Sequence, residues 1–198
     1  MNASVSPASL TVTLADLSHR ARFGCKGQAA EGFLSALRLP VPASPNAWAM
    51  DDDGRLVARL ATSEFLVEAA GVEQAFVADA AARLHDPARR TRGLVPVPRQ
   101  DLVIELAGAR ANDLLRQTCN VNFAALTRTA THGAGALVLT MMIGVGVTVV
   151  PQVGRHGASF TIWADPSFGH YLWSTLAGIT KGLGGEILAN RGDGRGAP

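Results

Sequence analysis

The sequence is short of the residues that usually announce chemistry. Only two cysteines, Cys25 and Cys119, occur in 198 residues, too few for a disulfide framework and in keeping with a reducing compartment. Charge is scarce as well: 18 Lys and Arg with 16 Asp and Glu make 17% of the chain, where an average soluble domain carries about 25%. A net charge of +2 is too small for electrostatic capture of nucleic acid or an anionic membrane. No acidic residue lies between Leu114 and Ala164, so acid–base chemistry has no carboxylate to draw on there. Long apolar runs are missing too. Ala136 to Val150 is uncharged, but its 15 residues, interrupted by Gly144 and Gly146, fall short of the ~20 needed to span a bilayer. Buried strands are expected there instead.

Motifs for bound groups are equally thin. FGCKG and IGVGVTV match neither the dinucleotide nor the triphosphate glycine pattern, so no flavin, nicotinamide or nucleotide site is expected in this chain. The five histidines, at 19, 85, 132, 156 and 170, show no metal-ligand spacing. Asp16, Ser18 and His19 suggest a catalytic triad only in name. Neighbours on one strand do not form a relay, and strand-end hydrogen bonding is the expected role of His19. Cys25 and Cys119 read as small buried thiols, and Asp51 to Asp53, before Gly54, as a solvated hairpin tip. Catalytic, cofactor-binding and metal residues are therefore all expected to be none. MNASVSPASL lacks the basic and apolar regions of a secretion signal, which predicts a cytoplasmic chain. The RGD triplet in NRGDGRGAP then carries no adhesive meaning.

What the chain does have is internal repetition. At an offset of 81 residues, Phe23, Cys25, Gly27, Ala30, Phe33 and Leu34 fall on Ile104, Leu106, Gly108, Ala111, Leu114 and Leu115. At an offset of 95, Phe65, Val67, Ala69, Phe76 and Val77 fall on Phe160, Ile162, Ala164, Tyr171 and Leu172. The difference of 14 residues locates an insertion between Asn120 and Gly157. Each copy runs strand, glycine turn, helix, hairpins, helix, and reads β-α-β-β-α. Hairpin turns are expected at Asp53-Gly54, at Ala61 to Ser63 and near Gly144. The Pro- and Arg-rich segment 87–100 has linker composition. The expected organisation is a disordered tail at 1–10, a first half at 11–86, a linker at 87–100, a second half at 101–189 and a disordered tail at 190–198. Two such units make an α+β protein of two ferredoxin-like (split βαβ) halves, with antiparallel sheets and helices on one face.

Four fragments, in order, resemble the gamma subunit of heterotetrameric sarcosine oxidase and the corresponding small subunit of N-methylglutamate dehydrogenase. LSHRARFGCKGQAAEGFL resembles the opening strand, turn and helix of that family. RLATSEFLVEA is similar to its Leu-Gly-Pro-x-Glu-Trp-Leu-Val strand, with Ala61, Thr62 and Phe65 departing. DLLRQTCNVNFAAL resembles its Leu-Leu-x-x-Gly-Cys-x-x-Asp-Leu block, with Thr118 and Asn122 departing. Ser167, Phe168, Tyr171, Leu172 and Trp173 match its Ser-Phe-x-x-Tyr-Leu-Trp helix.

The resemblance implies an aminomethyltransferase, folate-binding type of fold in a subunit without an active site of its own. It further implies a hetero-oligomeric oxidoreductase acting on an N-methyl amino acid. FAD, FMN, NAD and tetrahydrofolate would belong to the large and medium flavoprotein subunits, beside a small zinc-type subunit, with no nucleic acid or membrane involved. The charge deficit fits an apolar patch covered by such a partner. A free-standing folate protein, either aminomethyltransferase-like or of the iron–sulfur repair branch, is the alternative. The Lys-Gly-Cys-Tyr-x-Gly signature of that branch is absent. A pure scaffold is the third reading.

Overall fold

The computed structural model describes residues 11–129, 133–154 and 157–188; the tails expected at 1–10 and 190–198, with His132 and His156, lie outside the described residues. In chain order the elements are β1 (Thr13–Asp16), β2 (Arg22–Lys26), α1 (Ala30–Ala36), β3 (Ala47–Met50), β4 (Arg55–Ala61), β5 (Glu64–Ala69), α2 (Gln74–His85), β6 (Val95–Val97), β7 (Leu102–Ala107), α3 (Ala111–Thr118), α4 (Phe123–Thr129), β8 (Ala134–Ala136), β9 (Val138–Met142), β10 (Val145–Gly154), β11 (Gly157–Ala164), α5 (Gly169–Gly182) and β12 (Glu186–Leu188). Among the described residues no helix is long and apolar enough to cross a membrane. The chain forms two compact units, one of residues 19–100 with 133–137, the other of the described residues within 1–18, 101–132 and 138–198.

The unit of residues 19–100 and 133–137 holds a six-stranded antiparallel sheet in the order β6-β2-β5-β4-β3-β8. Alternation puts Phe23, Cys25, Phe65 and Val67 on one face. There they pack with Ala30 and Leu34 of α1 and Val77, Ala80 and Leu84 of α2. Each such fully buried large side chain contributes about 1.5–3 kcal/mol. The segment 87–100, for all its linker composition, contains a 3-10 turn at Pro87–Arg89 and the edge strand β6.

The second unit has a six-stranded sheet in the order β12-β1-β7-β11-β10-β9, antiparallel except where β1 and β12 run parallel. Its core joins Ile104, Leu106, Phe160 and Ile162 of the sheet to three helices. Helix α3 buries Ala111, Leu114, Leu115 and Thr118, the i, i+3, i+4, i+7 stripe of an amphipathic helix. Helix α5 buries Leu172, Leu176, Ala177 and Thr180.

The repeat survives in atomic detail. Gly27 and Gly108 have φ of +110° and +112°, a region that disfavours any side chain. In both turns the helix's first amide returns to the glycine carbonyl, Ala30 N–H to Gly27 at 3.0 Å and Ala111 N–H to Gly108 at 3.1 Å. The glycine amides donate to Ser63 and Ala158, which lie 95 residues apart. Strand registers correspond as well: Phe23 opposes Val67 and Cys25 opposes Phe65, as Ile104 opposes Ile162 and Leu106 opposes Phe160. The longer middle of the second copy carries α4 and β8, with Phe123 of α4 edge-on to Phe160 at 5.6 Å.

Three sequence expectations need correction. Each copy places three strands of its own sheet between its helices, β3 to β5 and β9 to β11, and the second adds β8, which joins the other sheet, so β-α-β-β-α omits at least one; two hairpin turns in a row require three strands. Strand membership also crosses the division at 87–100: β1 pairs with β7 and β12, while β8 pairs with β3. The apolar stretch from Ala136 to Val150 forms strands, but Leu139 and Met141 are 58% and 59% exposed because they alternate with Val138, Thr140 and Met142 and point to the opposite face of the sheet.

Candidate functional site

In the unit of residues 19–100 and 133–137, an open groove of about 800 Å³ lies beside the segment that follows α2. Its construction begins at Asp86, which stops the helix with an extended backbone and accepts the Ala88 N–H at 2.9 Å. Pro87 then starts the 3-10 turn. The chain returns through Gly93, at φ +79°, whose carbonyl accepts the Ala29 N–H at 3.0 Å. The turn at Gly27 and the loop at Gly93 lie so close that a Cβ on Gly27 would sit 2.3 Å from the Gly93 oxygen. Phe33 and Leu37 from the α1 end, Leu84 from α2 and Leu94 form the apolar part of the lining.

The rim is cationic. Arg83, His85, Arg89, Arg90 and Arg92 line it, against a single carboxylate, Asp86. Arg83 pairs with Asp79 at 2.7 Å and Arg89 with Asp86 at 3.4 Å. Arg90 and Arg92 are exposed and have no ion-pair partner among the described residues. The last turns of α1 and α2 also reach the groove and present partial negative charge, which the cations exceed. An apolar lining under surplus positive charge equips the groove for binding. Sequence reasoning missed it: the signal was the arginine cluster, read only as linker composition.

The residues weighed in the sequence serve the fold. Cys25 is fully buried opposite Phe65 and Pro96, and burial pushes its thiol up from 9.0 to about 12. Cys119 ends α3 and its S–H donates to the Leu115 carbonyl at 3.4 Å. Asp16 accepts the Ser18 N–H at 2.8 Å and the Ser18 hydroxyl accepts the Val103 N–H at 3.0 Å. His19 is exposed and takes no part in these strand-end bonds, contrary to expectation. Asp52 and Asp53 are exposed at the hairpin tip, as expected, but Asp51 is half-buried. It accepts the Arg55 N–H at 2.9 Å and Nε at 2.7 Å, while Asp53 accepts Arg55 Nη2 at 3.0 Å. The Arg55 guanidinium lies 5.0 Å from the centre of the Phe76 ring. Among the described residues no group of three or more His, Cys, Asp or Glu could hold a metal ion.

These units define an α+β protein of the aminomethyltransferase-like type, with two antiparallel-rich sheets backed by helices. The chain superposes on a chain of heterotetrameric sarcosine oxidase from Corynebacterium sp. U-96, solved in complex with pyrrole 2-carboxylate, with a TM-score of 0.65 and 19% identity over 90% of this chain and 88% of that one. It superposes on glycine cleavage system aminomethyltransferase T from Bartonella henselae with a TM-score of 0.62 and 15% identity, over 90% of this chain and 48% of that one. It thus spans about half the length of the aminomethyltransferase chain. No protein-family model and no curated protein sequence matches. The fold is the one these two enzymes share, as the sequence resemblance implied.

Proposed function

We propose that the chain is a non-catalytic, gamma-type small subunit of a heteromeric flavin-dependent oxidase or dehydrogenase of N-methyl amino acids, of the sarcosine or N-methylglutamate type. In this reading it acts in the cytoplasm and supports assembly with large and medium flavoprotein subunits and a small zinc-type subunit. FAD, FMN, NAD and tetrahydrofolate are held by those partners. The observation that carries the reading is mutual coverage: the fold match takes in 88% of a chain from a heterotetrameric sarcosine oxidase. The buried thiol of Cys25 and the hydrogen bonds that Asp16, Ser18 and Asp51 make within the fold are in keeping with that reading. Exposed Leu139 and Met141 on an edge strand suit a chain that meets partners.

Co-expression with the large and medium flavoprotein subunits of a sarcosine oxidase-type complex tests this. A co-eluting complex with flavin absorbance that oxidises sarcosine or N-methylglutamate is expected. The likeness to the aminomethyltransferase favours a second reading, a folate-binding protein working alone. A ligand at 100 times its Kd adds about 2.7 kcal/mol, enough for a Tm rise of several degrees. Folinic acid is expected to give no such rise with the chain alone. A rise together with one-carbon transfer, and no flavoprotein complex, would overturn the subunit reading.

A further inference from the structure

We propose that the arginine-rimmed groove docks an acidic segment of a partner subunit that inserts a large apolar side chain between α1 and α2; the inference rests on the subunit reading and names a surface for it. The lining around Phe33 and Leu84 is apolar and open to solvent, which favours an apolar anchor over water. The rim makes an anion the complementary neighbour, since Arg90 and Arg92 are exposed without ion-pair partners among the described residues. Four arginines within residues 83–92 concentrate positive charge in a chain that carries only 18 Lys and Arg in all.

Other occupants fit the charge less well. Residues 1–10 contain no acid and 190–198 contain two Arg against one Asp, so neither tail complements the rim. A second copy using the same face would bring arginine against arginine. A small fatty carboxylate would engage one guanidinium fork and leave the rest of the rim unmatched. Docking by strand addition is disfavoured because Pro96, which has no N–H, occupies the centre of β6. Side-chain recognition remains. The electrostatic part of such binding weakens with salt and acts largely on the association rate.

The test compares wild-type chain with R90E/R92E, two exposed positions whose change should leave Tm within 2 °C or so, in full-length form with the co-expressed flavoprotein subunits. Surface plasmon resonance at several salt concentrations should show a Kd at least tenfold weaker for R90E/R92E and a flatter salt dependence, with R90K/R92K close to wild type. Equal affinity and salt dependence for wild type and R90E/R92E would overturn the groove proposal and leave the subunit reading standing. If wild type forms no flavoprotein complex at all, both fall. Laurate serves as the small-anion probe by calorimetry: saturable one-to-one binding to wild type, lost in R90E/R92E, would reassign the groove to a lipid-like anion and overturn the partner proposal.

Discussion

At the scale of single residues, space and burial decide what the functional-looking groups can do. The Cys25 thiol is neutral in the fold and titrates near 12 rather than 9.0. The stability its burial confers is therefore complete below pH 9 and is lost as pH rises toward 12. The urea midpoint of wild type should fall across that window more steeply than that of Cys25→Ala, and equal slopes would refute the assignment. Gly27 offers a sharper test. An added Cβ meets the Gly93 carbonyl at φ +110°, so Gly27→Ala should lose roughly 3 kcal/mol or more in denaturant unfolding. Gly54→Ala has the same backbone problem at φ +81° but open space, and should lose only about 1 kcal/mol. Comparable losses would show that crowding at Gly27 is relieved elsewhere.

Between elements, the pairing of β2 with β5 has an ionic component. Arg22 and Glu68 face each other across the two strands, with Nε 3.5 Å from the carboxylate and both side chains 4% exposed. Arg20 adds a second contact at 3.6 Å. Glu68→Leu removes the carboxylate that faces the buried Arg22 guanidinium and should cost about 3–5 kcal/mol, whereas the double variant R22M/E68L should recover most of it. A double variant as unstable as the single one would place the loss in packing instead. Much at this scale was legible beforehand. The offsets of 81 and 95 foretold the equivalent turns and registers because both copies bury the same alternating positions. The memberships of β1 and β8 were not legible, since strands of four and three residues carry too little pattern to name distant partners. The groove stayed hidden for a related reason: proline and arginine in 87–100 describe a poor helix, and say nothing of the α1 and α2 ends that complete the wall.

For the molecule as a whole, β1 matters more than its four residues suggest. It lies between β12 and β7, an interior position in its sheet, and its flank places Val12 and Leu14 fully out of solvent. Removing residues 1–16 would part β12 from the sheet and uncover β7. Cooperative unfolding of the second unit should be lost, as seen by circular dichroism melting. A fully cooperative melt after this deletion would contradict the sheet order.

The exchange of β1 and β8 also sets an order of events during synthesis. A ribosome releases Thr13 long before Ala107, the residue it faces, and finishes residues 19–100 before Ala134 exists to close their sheet. Neither sheet is complete until much of the second half has emerged, so the nascent chain carries unpaired strand edges for most of its translation. Severing the gene at codon 100 gives pieces that each retain a strand belonging to the other sheet. Those pieces are expected to regain structure only when made together, as complementing fragments rather than as independent domains.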